Sequence, residues 1–280
     1  MSPGFGFKYH LLPVRLVCGY ALRTATPEKT MGVFAERVTR RFRIDRSELA
    51  FLERLEASPL PVKRGHTIVQ EGDPADRAFV LMAGWVMSYS CFPDGSQQVR
   101  RLHFPGDLLA MPSVSMRHHA ESLEALSDAV IAPFDKRLLA EMFNMPRLAA
   151  IMYMFAQAER VTAGDRHASL GLDSAKARIA YLLIDILHRL RSADGQVENS
   201  FLLHLTRRQI AQTAGITPVH ASRLWNALIA DGLIRCVGRT VSIVREPSLA
   251  QLGHYADRDG DLDFPWLRAV EDSTKAAVAG

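Results

Sequence analysis

The sequence predicts an α+β fold in which an N-terminal antiparallel β-roll is followed by a long helix and a C-terminal winged helix-turn-helix. Three observations predict it. Short runs of alternating apolar residues fill residues 62–132, a helical pattern runs through residues 147–170, and two short capped helices precede a hairpin within residues 205–244. With 280 residues, of which 48% are hydrophobic, the chain has room for about two domains with separate cores.

Residues 1–34 are predicted to be a disordered N-terminal extension. The stretch over residues 1–19 is apolar and weakly basic, but proline, lysine and arginine interrupt it and no signal-peptide cleavage site follows. Met31 is a plausible alternative start. No apolar run reaches the roughly 18 to 20 residues that a membrane span needs. Three scattered cysteines, Cys18, Cys91 and Cys236, are typical of a reduced compartment. We therefore expect a cytoplasmic protein that has no membrane partner.

The β-roll domain is expected over residues 35–144. Apolar residues at helical spacing between residues 34 and 58 predict one or two opening helices, which Pro59 and Pro61 end. Glycine then recurs at hairpin spacing, which indicates an antiparallel roll or barrel. A short helix is predicted over residues 138–143. The predicted turns contain Gly65, Gly72, Gly84, Gly95 and Gly106.

The helical stretch over residues 145–172 is predicted to be a dimerisation helix. Its apolar residues fall close to a heptad seam. A core helix of a single domain would show the same pattern. We expect a two-fold pair of helices, because a helix-turn-helix reader usually needs two half-sites. The predicted seam contains Leu148, Ile151, Phe155, Ala158, Thr162 and Asp165.

Residues 173–247 are expected to form the winged helix-turn-helix domain. Thr206 with Gln209 three residues later predicts a capping box, and Gly215 supplies the left-handed residue that ends the first helix. Thr217 and Pro218 begin the second helix. The predicted buried face contains Ile210, Ala211, Ala214, Ile216, Ala221, Leu224, Leu228, Ile229, Leu233 and Ile234.

The outer face of the second helix is left free to enter a DNA major groove. It carries Val219, Ser222, Arg223 and Asn226. An ordinary αα-hairpin would have the same caps and turn, but the segment that follows favours DNA binding. Residues 234–244 alternate at strand period around Gly238, as in a wing, and this hairpin is decorated by Arg235, Arg239 and Arg245.

The charge of this domain supports binding to phosphates. Residues 173–246 contain ten Lys or Arg and six Asp or Glu, which gives a net charge of +4. A solvated basic face would also explain this modest excess. Dimerisation would double it, as suits salt-dependent DNA binding.

Two other classes of protein are less compatible with the sequence. A β-roll metal-dependent, cupin-like enzyme needs two or three histidines and a carboxylate that converge inside the barrel. The sequence has no His-x-His with a following Glu, no phosphate loop and no Gly-x-Ser-x-Gly elbow, so no enzyme is expected. A protein-interaction adaptor would not need Arg207, Arg208 and Arg223. Residues 248–280 are predicted to be a tail with a short extra helix and disorder.

The motifs of the chain, taken in order, resemble one family. Gly65 is followed by Gln70-Glu71-Gly72-Asp73, Phe79-Val80-Leu81, Gly84 and Phe104-Pro105-Gly106-Asp107, and then by the long helix, Ser174-Ala175, Arg178-Ile179-Ala180 and the helix-turn-helix. Over about residues 40–246 this order resembles the Crp/Fnr family of bacterial transcription regulators. The resemblance implies a cyclic-nucleotide-binding-like, jelly-roll sensor. It also implies a homodimer on a palindromic promoter site in double-stranded DNA, and contact with RNA polymerase.

The resemblance also implies an effector pocket in the β-roll. Cyclic-AMP receptors carry a Glu for the ribose and an Arg-Ser pair for the phosphate, and these positions hold Met111 and His119 with Ala120 here. Without the carboxylate and the bidentate guanidinium, cyclic AMP is not expected to bind. A cyclic-nucleotide-dependent regulator is the alternative, with Arg117 as a substitute anchor and Thr162 at the nucleobase position. The effector is otherwise unidentified or absent.

Expectations for metal cofactors depend on the same resemblance. The oxygen-sensing branch of the family ligates an iron–sulfur cluster through four mostly N-terminal cysteines, and only Cys18 lies there, so no such cluster is expected. Haem is an alternative, since one histidine and one further ligand suffice, and His103, His118, His119 and Cys91 lie in or near the roll. An exposed loop pair is the competing interpretation of the adjacent histidines. No other metal site is predicted.

Base recognition follows from the same comparison. Many family members carry a Glu that accepts from cytosine and, four residues later, an Arg that donates to guanine. Here these positions hold Val219, which fits a thymine methyl, and Arg223, the expected guanine reader; Pro218-Val219-His220 resembles a less-studied branch. Thr206 and Arg207 are expected to bind phosphates at a helix N-terminus. The complete predicted set is Thr206, Arg207, Arg208, Thr217, Pro218, Val219, His220, Ser222, Arg223, Asn226 and Arg239.

Overall fold

The computed structural model describes residues 31–172 and 174–258. The predictions for residues 1–30 and 259–280 lie outside this range. Two helices open the fold as predicted, α1 (Val33–Thr39) and α2 (Arg46–Leu55). Because Phe34 in α1 is already buried, the folded region begins before the predicted boundary at residue 35.

Eight strands form the β-roll. They make two antiparallel four-stranded sheets, in the orders β1-β8-β3-β6 and β2-β7-β4-β5. The predicted roll is thereby confirmed. The strands are β1 (Leu60–Val62), β2 (Thr67–Val69), β3 (Arg77–Ala83), β4 (Val86–Cys91), β5 (Gln97–His103), β6 (Leu108–Leu109), β7 (Ser122–Ala125) and β8 (Ala129–Asp135).

The glycines of the five predicted turns all have positive φ angles, between 78° and 91°. Only glycine adopts this conformation at little cost. At Gly84 space is also decisive, since a Cβ atom would lie 2.4 Å from the carbonyl oxygen of Asp128. The turn residues therefore fix where each strand ends.

The roll leads into the long helix through a 3-10 helix over Lys136–Asn144, where a short helix was predicted. The long helix, α3 (Pro146–Leu172), has 27 residues. Its first half is a core helix, because Ile151 is fully buried against the cluster that contains Phe34 and Phe51.

The predicted dimer seam is therefore only in part available to a partner. Ile151 has no exposed surface, and the Phe155 ring packs edge-on against Phe42 at 5.9 Å between centroids. Both residues belong to the core of their own protomer. Ala158 and Thr162 are half-buried, and the Thr162 hydroxyl donates to the Ala158 carbonyl oxygen of its own helix at 3.0 Å.

The C-terminal domain contains four helices and a small sheet. Strands in the order β10-β11-β9 pack beside the helix-turn-helix. The last helix crosses the predicted boundary at residue 247, and Leu249 within it is fully buried, so the domain extends to residue 252. The elements are α4 (Ala175–Ala193), β9 (Ser200–Leu202), α5 (Arg207–Ala214), α6 (Pro218–Ala230), β10 (Ile234–Val237), β11 (Thr240–Ile243) and α7 (Glu246–Leu252).

The β-roll and the C-terminal domain share one apolar cluster. Trp85, in the turn before β4, contacts the Phe104 ring at 4.8 Å and the His204 ring at 5.1 Å between centroids. The side-chain amide of Gln98 on β5 donates to the carbonyl oxygen of Gln212 in α5 at 2.7 Å. Within residues 31–172 and 174–258, we find no helix with the length and apolarity of a membrane span.

Candidate nucleic-acid interface

Helix α5 begins and ends as its sequence predicts. The Thr206 hydroxyl accepts from the Gln209 backbone N–H at 3.2 Å, and the Gln209 side chain accepts from the Thr206 N–H at 2.8 Å, so the capping box is complete. Gly215 has φ of 63° and ends the helix in the left-handed conformation. Two residues later Thr217 caps α6, since its hydroxyl accepts from the His220 N–H at 3.3 Å.

The outer face of α6 is open to solvent. Val219 is 63% exposed, and Arg223 and Asn226 are exposed beside it. Among the described residues, neither Arg223 nor Asn226 has a hydrogen-bond or ion-pair partner. Ser222 is half-buried and donates to the Pro218 carbonyl oxygen at 3.0 Å, so its hydroxyl is already engaged within the helix.

The inner face of α6 packs into the core through Trp225, a residue that was not predicted from the sequence. Trp225 is 1% exposed and joins the core cluster with Ala221 and Leu228. Its helical spacing from these two positions was the available signal. Ile229 was predicted to be buried and is 39% exposed, because it lies about 100° around the helix from Leu228.

The wing is formed by β10 and β11 around Gly238, whose φ is 60°. Arg239 at its tip is exposed and also folds back, donating to the Leu203 carbonyl oxygen at 3.3 Å and to His204 Nδ1 at 3.3 Å. Burial and the charges of Arg239 and Arg64 lower the pKa of His204 to about 4. His204 is thus neutral at pH 7 and can accept from Arg239.

Arg245 is held at the end of α6. Its guanidinium donates to the carbonyl oxygens of Asp231 and Gly232, which lie just past the last turn of that helix. Arg245 is thus exposed but tied to the end of α6, whereas Arg235 is exposed on the wing as predicted.

The two adjacent arginines at the start of α5 have different surroundings. Arg208 is exposed and makes no hydrogen bond or ion pair with the described residues. Arg207 is half-buried, and its guanidinium carbon lies 3.8 Å from the centroid of the Trp225 ring. The structure therefore turns Arg207 inward, in contrast to its predicted role as a phosphate ligand.

Comparisons with known proteins place this arrangement in one family. Residues 59–145 match the cyclic nucleotide-binding domain, and residues 177–252 match the Crp-like helix-turn-helix domain. The fumarate and nitrate reduction regulatory protein of Escherichia coli K12 is 25% identical over 215 residues, which is 76% of this chain and 86% of that protein. Its counterpart from Klebsiella oxytoca is 24% identical over 216 residues, 77% of this chain and 86% of the relative. The chain belongs to the Crp/Fnr family of transcription regulators.

Solved structures agree with this Crp/Fnr assignment at the level of the fold. FixK2 from Bradyrhizobium japonicum superposes with a TM-score of 0.65 at 24% identity, covering 71% of this chain and 98% of that one. A CRP-family transcriptional regulator from Thermus thermophilus gives a TM-score of 0.57 at 21% identity, covering 70% and 97%. The relatives from Escherichia coli and Thermus thermophilus are a regulatory protein and a transcriptional regulator, so the family assignment indicates a regulator and not an enzyme.

The residues predicted for the effector pocket lie in different surroundings in this Crp/Fnr regulator. Met111 packs against the apolar cluster of α1, α2 and α3, and Arg117 is exposed. His119 is buried, its backbone N–H donates to the Asp73 carbonyl oxygen at 2.8 Å, and burial lowers its pKa. Its Nδ1 has no hydrogen-bond partner among the described residues.

A buried charge cluster, which the sequence analysis missed, joins the roll to the C-terminal domain. Asp107 accepts from Arg189 of α4 at 2.6 Å and also pairs with Arg37 of α1 and with Arg101 of β5. Burial alone would raise the pKa of Asp107, but the three guanidinium groups hold it far below its usual value. From the sequence, Gly106-Asp107 indicated only a turn, because two of the arginines that pair with Asp107 are distant in sequence.

Two of the haem ligands considered above, Cys91 and His103, lie far apart in the β-roll. Cys91 lies opposite Gln97 at one end of β4, whereas His103 lies opposite Val86 at the other end, roughly 17 Å away at strand spacing. His103 is buried, and burial together with the Arg101 charge lowers its pKa well below the usual value. Within the described part of the chain, no group of three or more His, Cys, Asp and Glu side chains could hold a metal ion.

Proposed function

We propose that this Crp/Fnr regulator binds a two-fold promoter site as a homodimer and places α6 of each protomer in a major groove. The observation that carries the proposal is the two-sided character of α6. Its inner face is anchored by the fully buried Trp225, while Val219, Arg223 and Asn226 stand exposed on the opposite side without partners in the described structure. A surface αα-hairpin would be two-sided as well, but the wing that follows α6, with Arg235 and Arg239 exposed on it, favours DNA binding.

The roles of the α6 residues follow from the chemistry of the groove. Arg223 is proposed to donate to guanine N7 and O6, and Val219 to contact a thymine methyl group. Thr217, Pro218, His220 and Ser222 lie in the first turns of the helix and are also proposed to contact DNA. Thr206, Arg208 and Arg239 are proposed to bind phosphates, because they are exposed at the N-terminus of α5 and at the wing tip.

Homodimerisation is proposed to use the outer side of α3. Tyr153, Arg160, Gly164 and His167 are exposed there at intervals of seven, four and three residues, the spacing of a coiled-coil face. This face differs from the predicted seam at Ile151 and Phe155, which the protomer buries. Ala158 and Thr162, which also belong to the predicted seam, are half-buried.

Control by the β-roll is proposed to be independent of cyclic AMP. Met111 supplies no carboxylate, and it is packed among apolar side chains. We propose that the protein acts in the bacterial cytoplasm and contacts RNA polymerase, as the resemblance to the Crp/Fnr family implies, and that its effector is unidentified or absent. A thermal-melting series with cyclic AMP, and an absorption spectrum for haem, test these two ligands; a raised melting temperature or a Soret band would contradict the proposal.

In vitro selection from random DNA with the purified, ligand-free protein tests DNA reading itself. We expect enrichment of a two-fold site whose half-site centres are about one helical turn apart. Affinity should fall steeply as salt rises, because phosphate contacts release counterions. No enrichment at low or at moderate salt would contradict DNA binding by the ligand-free protein.

A further inference from the structure

Arg207 lies where the three elements of the DNA reader meet. It is the first residue of α5, its guanidinium carbon lies 3.8 Å from the centroid of the Trp225 ring in α6, and it adjoins the Cys236 thiol in β10. Burial lowers the pKa of Arg207 below its usual value, although a guanidinium remains charged at pH 7. A planar cation on an indole face is a favourable contact, and more so when water is partly excluded.

The Trp225 ring is well placed to control the base-reading side chains. Trp225 is fully buried, and it lies between Arg223 and Asn226 in sequence but faces the opposite way. A rotation of α6 about its axis would move Arg223 and Asn226 together across the base edges. Contacts that hold the Trp225 indole in place oppose such a rotation. Arg207 makes one of these contacts, because its guanidinium covers one face of the indole.

We propose that Arg207 is a positioning residue for DNA reading. By stacking on Trp225 and adjoining the wing at Cys236, it sets the seat of α6 so that Arg223 meets its base, and it binds no phosphate itself. This inference rests on the proposed function. The two neighbouring arginines then have separate roles: Arg208 binds phosphates, and Arg207 holds Trp225 in place.

The two roles differ in how they depend on salt. Loss of a phosphate ligand weakens binding to all sequences alike and reduces the slope of log affinity against log salt by about one. Loss of a positioning contact leaves that slope unchanged, because the same number of counterions is released. It weakens binding to the cognate site and relaxes the preference at the Arg223 position.

The experiment measures affinity for the selected site and for single-base variants at several salt concentrations, with Arg208→Ala as the matched control. Arg207→Ala is expected to weaken cognate binding by about 5- to 30-fold, with an unchanged salt slope and a weaker guanine preference. Arg207→Lys keeps the charge but loses the planar stack, and is expected to behave like Arg207→Ala. Arg208→Ala is expected to reduce the slope and keep the base preference.

A spectroscopic readout reports the contact without DNA. The Trp225 indole N–H resonance, assigned with Trp225→Phe, should shift in Arg207→Lys and stay in place in Arg208→Ala. The inference is overturned if Arg207→Ala lowers the salt slope as Arg208→Ala does, or if Arg207→Lys binds DNA like the wild type. It is also overturned if the Trp225 indole resonance does not shift in Arg207→Lys. Wild-type protein that binds no DNA would instead defeat the proposed function, while the resonance would still test the stack.

Discussion

Position 219 shows how one exposed side chain can set a base preference. The resemblance to the Crp/Fnr family implies that Val219 stands in the place of a base-reading glutamate, and the residue is 63% exposed on α6. A carboxylate there would accept from cytosine N4. We therefore predict that Val219→Glu shifts the preferred base pair at one position of each half-site, by about 1–3 kcal/mol in favour of cytosine.

The comparison for Val219→Glu is Val219→Ala, which removes the methyl contact and adds no acceptor. It should lose the thymine preference without gaining one for cytosine. Binding of both variants to a panel of single-base variants of the selected site measures this. An unchanged preference in Val219→Glu would mean that residue 219 does not face a base.

Asp107 is predicted to make stability depend on pH in the acid range. Its pKa is far lower in the folded state than in the unfolded chain, because three guanidinium groups surround the buried carboxylate. A carboxylate whose pKa is lower in the folded state contributes its full stabilisation of the fold above about pH 5. This contribution is lost as the pH falls toward the pKa of the folded state. Asp107→Asn should lower the free energy of unfolding at pH 7 by about 3–5 kcal/mol, since it removes the buried negative charge that Arg37, Arg101 and Arg189 share.

Urea denaturation at pH 7 and pH 3 measures the effect of Asp107→Asn. The variant should lose less stability between these two pH values than the wild type does. Glu141→Gln is the control, because Glu141 pairs with Arg54 at the surface and should change stability little. A variant at position 107 with wild-type stability at pH 7 would contradict the role given to the cluster.

At the scale of the element, α3 carries the prediction about assembly. Its inner side is committed to the protomer core, and its outer side presents Tyr153, which is 62% exposed. If that side packs against its two-fold mate, Tyr153→Arg places two cations in the interface and should shift the protein from dimer to monomer. Sedimentation equilibrium measures the shift.

The control for Tyr153→Arg is Met116→Arg, which changes an exposed apolar residue on the β-roll. It should leave the dimer intact. Equal dissociation by both variants, or by neither, would contradict the assignment of the outer α3 face to the partner helix.

The beginning and end of each helix in the helix-turn-helix could be predicted from residues that are close together in the sequence. The capping box at Thr206, the left-handed Gly215 and the Thr217 cap each involve residues within a few positions of one another, so their chemistry is complete in the sequence. The face of α3 that carries Ile151 was open to two interpretations, because a heptad pattern is the same whether a helix packs on a partner or on its own roll. Only contacts distant in sequence decide between them.

At the scale of the whole molecule, the β-roll and the winged domain are predicted to unfold as one unit. Trp85 lies between them, in contact with Phe104 of the roll and with His204 ahead of α5. Trp85→Ala should cost about 3–5 kcal/mol and separate the unfolding transition into two. Calorimetry of wild type and variant tests this, and a wild type that already shows two transitions would contradict the shared core.

This docking could not be predicted from the sequence. Asp107 and Arg189 are 82 residues apart, and Gln98 and Gln212 are 114 apart. Neither pair belongs to a periodic pattern. The order of motifs along the chain predicted the fold of each domain, whereas the surfaces that join the domains depend on side-chain complementarity that no local signal carries.

Helix α6 is proposed to bind two symmetric half-sites of DNA and to recognise a base in each through Arg223. The most direct measurement is a complete single-base affinity matrix on the selected site for wild type and Arg223→Ala. We predict that the variant loses about 1–3 kcal/mol of discrimination at one guanine in each half-site, at symmetry-related positions, and keeps the other preferences. A uniform loss across all positions, or an unchanged matrix, would contradict the claim.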